Sequence, residues 1–165
     1  DHYGNTRASI GAEIKNAVMG LHSNYYKKID NGSVDEKVLD GYDIELSSQV
    51  PYLHWADIFY NTYHWDGVDR DDVKGTKIGT DLLLTSSLAL EAAYDDKDKK
   101  GLEDEWYAKI SFVHPPRKGA TAQDGVSNQI WKKEKDMSGE MLTKVKRNNK
   151  IMIEFKGTGT ISRLD

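Results

Sequence analysis

The chain has 165 residues, a formal net charge of −4 and no cysteine. The net charge is negative and gives no sign of the excess of basic residues that binds nucleic acid, so no nucleic-acid partner is predicted. Without thiols there are neither disulfide frameworks nor thiolate metal sites. No stretch approaches about 18 consecutive apolar residues, which excludes a transmembrane helix. Low mean hydropathy suits either a soluble domain or a membrane barrel, whose strands are only half apolar.

Alternation of apolar and polar residues predicts seven strands. In the first strand Ala8, Ile10, Ala12 and Ile14 share one face, and the charged residues lie on the other. Alternation alone leaves open which face is turned inward, because a soluble sandwich alternates too. The predicted strands are Thr6–Lys15, Val18–Ile29, Gly41–Val50, Trp55–Trp65, Gly75–Thr85, Leu88–Asp95 and Glu105–His114.

The connections between these strands are alternately short and long. The short ones are Asn16–Ala17, Pro51–His54 and Ser86–Ser87. The long, charged ones are Asp30–Asp40, Asp66–Lys74 and Asp96–Asp104. Outer-membrane barrels have this pattern, because their periplasmic turns are short and their external loops long. The spacing therefore predicts an antiparallel up-and-down transmembrane β-barrel.

The sequence changes character after Pro115–Pro116, which ends the last strand because proline offers no backbone donor. Residues 117–131 are rich in small residues and read as irregular. Residues 133–146 have the apolar spacing of a short helix, although Gly139 weakens it. Ile151–Phe155 reads as extended. We therefore expect barrel strands over residues 1–114 and a linker with a short helix and an extended exit segment over 115–165.

Aromatic residues near the strand ends predict an interfacial girdle. Trp55 and Trp65 stand ten positions apart, roughly 23 Å in a tilted strand, which is close to the height of an apolar band. Asp57 and Asn61 share their parity, so the facing of this strand is ambiguous. Ordinary core packing in a soluble sheet is the alternative. The predicted girdle residues are Trp55, Tyr63, Trp65, Tyr94 and Trp106.

Four stretches resemble the intimin/invasin family of inverse autotransporters, in that family's order along the chain. The first three match strands and their turns, and the fourth resembles the signature that follows the barrel. The match covers nearly the whole chain. The stretches are Asn5–Glu13, Leu39–Leu46 with Val50–Leu53, Tyr63–Gly67 and Lys146–Lys156.

The resemblance implies a twelve-stranded barrel in the outer membrane of a Gram-negative bacterium. A linker with a short helix would thread its pore and carry an adhesin passenger to the surface. Implied partners are the lipid bilayer, the chain's own C-terminal passenger, periplasmic chaperones and the barrel-assembly machinery. The linker residues that match are Met141, Arg147, Asn148, Asn149, Ile151, Ile153 and Phe155.

The sequence departs from the family pattern in three ways. Only about seven strands are visible, so we expect roughly five more before Asp1, where the sequence opens on a predicted loop without a signal peptide. No passenger follows within the 165 residues. His54 stands where the family's turn often has a second proline.

No chemical motif predicts catalysis, and no cofactor is expected. The five histidines are scattered, without HExxH or a pair at metal spacing, so no metal site is predicted. The acidic run Asp66–Asp72 could hold Ca²⁺ loosely, but it lacks EF-hand spacing and contains Arg70, so a solvated external loop is favoured.

The polar faces of the strands supply the candidate lumen residues. We expect these side chains to contact the linker and plug the pore; the alternative is a hydrated lumen or a soluble outer face. Rival functions are a porin-like barrel without a passenger and a soluble antiparallel β ligand-binding module. The candidates are Arg7, Glu13, Lys15, Asp43, Glu45, Gln49, Asp81, Glu91 and Lys109.

Overall fold

Within the part of the chain that the structure describes, ten strands form two antiparallel sheets. The computed structural model describes residues 6–30, 36–69, 71–98, 103–112, 114–132, 151–155 and 161–164. In chain order the strands are β1 (Thr6–Lys15), β2 (Met19–Asp30), β3 (Glu36–Val38), β4 (Gly41–Val50), β5 (Leu53–Trp65), β6 (Val73–Thr85), β7 (Leu88–Lys97), β8 (Glu105–Phe112), β9 (Ile151–Phe155) and β10 (Ile161–Leu164).

The larger sheet contains seven strands in the order β1-β2-β4-β5-β6-β7-β8, so β1 and β8 are its edge strands. Each strand is antiparallel to its neighbours, as expected for an up-and-down meander. These are the seven predicted strands, with ends that shift by up to two residues. β5 begins at Leu53 rather than Trp55, and β8 ends at Phe112 rather than His114. The short strands β3 and β10 were not predicted.

The short connections place three turns at one end of this sheet, here called the turn end. In the first, the Asn16 carboxamide oxygen accepts the backbone N–H groups of Val18 and Met19 at 2.8 and 2.9 Å. Such a side-chain-capped turn is a typical use of asparagine. In the second, Tyr52 adopts φ 64°. The third turn lies at 86–87.

The long connections lie at the opposite end, here called the loop end. β3 belongs to the connection between β2 and β4 and pairs with β9, which also pairs with β10. Two neighbouring loops are joined by an ion pair between Lys37 and Asp69. A backbone hydrogen bond from Asp66 N–H to Asp40 O, 2.9 Å, also joins them.

Burial alternates along β1, β2 and β4, which gives the sheet an inner face with enclosed side chains and an outer face with exposed ones. A small apolar core, which includes Tyr26, Tyr63 and Trp65, lies toward the loop end. The Arg7 guanidinium carbon lies 4.2 Å from the Tyr26 ring centre and 5.2 Å from that of Trp65. Because β2 and β4 separate β1 from β5, this contact is typical of a curved sheet with a concave inner face.

Candidate functional site

The outer face of the sheet is apolar. Ile10 and Ile14 on β1 are 73% and 76% exposed, and Phe112 on the far edge strand is 87% exposed. Arg7 lies on the opposite, enclosed face of β1. A water-soluble sheet buries its apolar face. The arrangement therefore argues against the soluble-module alternative and favours an outer face in contact with lipid.

The inner face carries a connected set of buried polar side chains. Asn24 donates to Asp43 Oδ1 at 3.0 Å, and Asn61 donates to Glu45 Oε2 at 3.5 Å. Glu45 also lies 3.9 Å from the His22 ring. Polar groups in a dry interior are stable only when they are paired, and these residues pair across β2, β4 and β5.

Most of the predicted lumen residues share this face. Arg7 stacks on the aromatic pair described above, and Glu13 and Lys15 form an ion pair at 3.1 Å. Tyr107 donates to Glu91 Oε1 at 2.7 Å. The buried members are Asp43, Glu45 and Gln49, the half-buried ones are Arg7, Glu13, Lys15, Asp81 and Glu91, and Lys109 is exposed on the edge strand β8.

One row of inner-face residues is strongly acidic. Register places Asp57 opposite both Gln49 and Asp81, and Glu91 opposite both Asp81 and Lys109. Three carboxylates therefore stand side by side on β5, β6 and β7. Like charges directly opposite each other destabilise a sheet unless cations approach them, so this row is suited to face a basic segment.

The predicted girdle is wrong for Tyr63 and Trp65. Both belong to the inner face, where they are 7% and 1% exposed, and the Tyr63 hydroxyl donates to Asp95 at 2.9 Å. The reason is the residue opposite each ring. Tyr63 pairs with Gly75 and Trp65 with Gly41, and a Cβ at either glycine would lie within 2.5 Å of the facing residue. The absent side chains leave space that these rings fill, a recognised way of stabilising strand glycines.

The outer face has its own aromatic residues near the loop end. Trp106 is 78% exposed and packs against Tyr94, with ring centres 4.9 Å apart. Tyr25 and Tyr42, which are paired in register, are 47% and 43% exposed. Tyr94, Trp106, Tyr25 and Tyr42 therefore share the outer face near the loop end, and an interfacial girdle formed by Tyr94 and Trp106 stays a prediction.

Residues 114–132, here called the strap, follow β8 along the turn end. Arg117 N–H donates to Ser86 O at 2.8 Å, in the turn between β6 and β7. Farther along, Ser127 N–H donates to Tyr52 O at 2.8 Å, and Tyr52 N–H donates to Ile130 O at 3.0 Å. The strap thus reaches from the edge strand to the turn between β4 and β5.

The strap has local structure that was not predicted for it. A 3-10 turn, Ala122–Asp124, is capped by the Asp124 carboxylate, which accepts Thr121 N–H at 2.7 Å. Gly125 follows it with φ 65°, and its carbonyl accepts the Trp55 indole N–H at 2.9 Å. Trp55 therefore lies at the turn end, and its indole N–H is hydrogen-bonded to the strap. The spacing Thr121-x-x-Asp124-Gly125 was the available signal, since it resembles a capped turn followed by glycine.

At its end the strap reaches the inner face. Lys132 N–H donates to the Gln49 side-chain oxygen at 2.9 Å, and Gln49 is 5% exposed. Gln49 is paired in register with Asp57, the first carboxylate of the acidic row. The mixed-charge stretch Lys132–Asp136, with three lysines, Glu134 and Asp136, thus begins beside carboxylates of the inner face.

At the loop end, β9 pairs antiparallel with β3, with Lys37 opposite Glu154. β9 contains the predicted linker residues Ile151, Ile153 and Phe155. Met141, Arg147, Asn148 and Asn149, with the predicted short helix, lie outside the described residues.

A neighbouring loop is held by Asp104, which accepts the Lys97 backbone N–H at 3.1 Å and the Tyr94 hydroxyl at 2.8 Å. These two hydrogen bonds, the backbone one first, lower the pKa of Asp104.

The same end brings together three residues of metal-ligating types, one histidine and two aspartates, which the sequence did not predict to lie together. His64 Nε2 lies 3.0 Å from Asp66 Oδ1 and 3.3 Å from Asp72 Oδ2. The Asp72 carboxylate also accepts Gly67 N–H, and the imidazole stacks on Tyr42. A divalent cation fits such a set, and so does a hydrogen-bonded imidazole between two carboxylates.

Comparison with known proteins identifies the architecture. A family model described as "Inverse autotransporter, beta-domain" matches residues 1–149. The chain belongs to the inverse autotransporter β-domain family. A solved structure described as "Unveiling the Mechanism Behind the in-meso Crystallization of Membrane Proteins" shares the fold, with a TM-score of 0.66 and 17% identity over 92% of this chain and 68% of that one. A search of curated proteins found no match.

This inverse autotransporter domain is therefore an outer-membrane β-barrel of Gram-negative bacteria and part of a passenger translocator. The predicted family, the antiparallel all-β fold and the location are confirmed. The family is a transport family, not a catalytic one. No helix among the described residues is long and apolar enough to cross a bilayer.

Proposed function

We propose that residues 1–114 form barrel strands and that residues 115–165 are a linker, which returns through the lumen and displays an adhesin passenger on the cell surface. The domain would then act as both export conduit and membrane anchor. Periplasmic chaperones and the barrel-assembly machinery would deliver it, as for other membrane barrels of its family. Folding of the passenger outside the cell would drive export.

The observation that carries this proposal is where the two described parts of the linker are attached. Lys132 is bound to Gln49 near the turn end, and β9 pairs with β3 at the loop end. Residues 133–150 must join these two points, so the chain reverses direction relative to β8. A route along the lipid face would leave backbone groups unsatisfied. The inner face offers polar partners along the way.

The length of the connecting segment suits this path. β5 has 13 residues, which at about 3.3 Å per residue and a tilt near 45° span roughly 30 Å. The segment from 133 to 150 could cover about 27 Å as a helix or about 60 Å when extended. The extended segment exceeds this span, and a helix comes within a few ångström of it.

Charge complementarity supports the same path. The acidic row lies beside the entry point at Lys132, and the segment that follows is rich in lysine. Asp43, 5% exposed on the inner face, keeps its Oδ2 buried without a hydrogen-bond partner among the described residues. A buried carboxylate oxygen requires a donor, and a lysine of residues 133–150 would supply one in addition to the positive charge of the nearby Arg7.

Thiol labelling of intact cells tests the orientation, because the chain has no native cysteine. We expect Val68→Cys at the loop end and Ser162→Cys in β10 to react with a membrane-impermeant maleimide. Ser86→Cys at the turn end should react only after the outer membrane is permeabilised. Labelled Val68→Cys with silent Ser162→Cys would contradict export of the linker, and labelled Ser86→Cys would contradict the orientation.

Plugging of the pore is tested by conductance. Glu45→Ala and Glu91→Ala remove inner-face carboxylates, so contacts that hold the linker are lost. We expect a higher single-channel conductance in planar bilayers. Glu103→Ala, in the exposed connection between β7 and β8, should leave it unchanged. Equal conductance in all three variants would count against plugging by these contacts.

A further inference from the structure

The side chains of His54 and Trp55 both form hydrogen bonds to the strap. Trp55 donates its indole N–H to Gly125 O at 2.9 Å, and His54 Nε2 lies 2.8 Å from Gln129 O. Since a carbonyl oxygen only accepts, the imidazole donates. The two residues lie at the start of β5, next to Tyr52, whose backbone pairs with the strap on both sides.

These contacts add to the backbone hydrogen bonds that hold the strap near the place where the linker meets the inner face. Without them the strap would be tied to the turn end chiefly through backbone groups of the two turns. With them, the strap spans from Ser86 to Tyr52 and brings Lys132 to Gln49 on β4, which three strands separate from β8. Entry is thereby directed to β4, beside the acidic row.

We propose that His54 and Trp55 are positioning residues for translocation: they hold the strap against the turn between β4 and β5, and so set the place and direction in which the linker enters the lumen. Fixing one end of a segment raises its effective concentration at the adjacent site. Export then starts from one geometry rather than from many. The inference rests on the proposed function and adds a docking site to it.

Gly125 provides an independent way to disturb the same contact. Its φ of 65° is favourable for glycine and unfavourable for other residues. An added Cβ would meet nothing within 4 Å, so Gly125→Ala acts through the backbone alone. Gly119, also in the strap, would place its Cβ no nearer than 4.0 Å to Leu83 and has no such φ. Gly119→Ala is therefore a matched control.

The experiment measures surface exposure of a C-terminal epitope on the full-length protein, normalised to folded, heat-modifiable barrel in the outer membrane. The double variant His54→Ala/Trp55→Phe should display about tenfold less epitope, the change expected when two ordinary hydrogen bonds are lost. Gly125→Ala should also reduce display. His54→Gln, which keeps a donor, and Gly119→Ala should display normally, with the folded barrel unchanged throughout.

Normal display by the double variant and Gly125→Ala would overturn the inference. So would loss of the folded barrel in both, because these residues would then serve barrel folding rather than linker entry. Failure of the proposed function itself has a different signature, since the unsubstituted protein would then expose no epitope on intact cells.

Discussion

Leu46→Arg should lower the free energy of unfolding from a lipid bilayer by about 2–4 kcal/mol, the cost of an arginine on a barrel's lipid face at mid-depth. Leu46 lies midway along β4 on the outer face, is 47% exposed and is paired in register with Leu21 and Tyr60. On a soluble protein a residue so exposed would tolerate arginine within about 0.5 kcal/mol. The size of the loss in stability therefore shows whether the outer face is in contact with lipid or with water.

Met19→Arg is the matched control. Met19 is 49% exposed, almost the same as Leu46, but it lies at the turn end of β2. Near the interface an arginine costs only about 0–1 kcal/mol, since its side chain can reach water. Denaturant titration of the barrel in vesicles measures both variants. If both variants lost little stability, contact of the outer face with lipid would be contradicted. If both lost about the same large amount, the assignment of Met19 to the interface and Leu46 to mid-depth would be wrong.

The strands and their order follow from local signals in the sequence. Alternation in β1 is uninterrupted from Thr6 to Lys15, and Asn16 closes the turn with its own side chain. Where the turn is that tight, the register of the next strand follows from it. The alternation of short turns and long loops then indicates an up-and-down outer-membrane barrel, and the family match agrees with this prediction.

The facing of β5 did not follow from the sequence, because both of its faces carry aromatic residues. Whether Trp65 lies inward depends on Gly41, 24 positions earlier, and Tyr63 depends on Gly75. Only the register of paired strands brings an aromatic residue opposite a glycine. Alternation within a single strand cannot reveal such a pair.

The strap was missed for a related reason. Its contacts join Tyr52 with Ser127 and Ile130, and backbone hydrogen bonds of this kind leave no periodic trace in a sequence. The same holds for the His64, Asp66 and Asp72 cluster, whose members meet only because the loop between β5 and β6 folds back on itself. The long-range contacts of the site could therefore not be predicted from the sequence.

Asp95→Ala should destabilise the barrel by about 3–5 kcal/mol, the cost of removing one member of a buried charge pair. Asp95 is 2% exposed, accepts the Tyr63 hydroxyl at 2.9 Å and lies 3.7 Å from the Lys77 ammonium. Lys77 is itself largely buried, 5.1 Å from the Tyr63 ring centre. Removing the carboxylate takes away the negative charge that lies 3.7 Å from this largely buried ammonium.

Three further variants separate charge from packing, measured by denaturant unfolding in detergent or vesicles. Asp95→Asn keeps an acceptor for Tyr63 and should lose less stability than the alanine variant. The double variant Asp95→Leu/Lys77→Met removes both charges and should recover part of the loss, as apolar replacements of buried pairs do. Asp96→Ala, at the adjacent exposed position, should stay within about 0.5 kcal/mol. If the double variant were no more stable than Asp95→Ala, the uncompensated charge would not be the cause, and the hydrogen bond to Tyr63 would have to account for the loss.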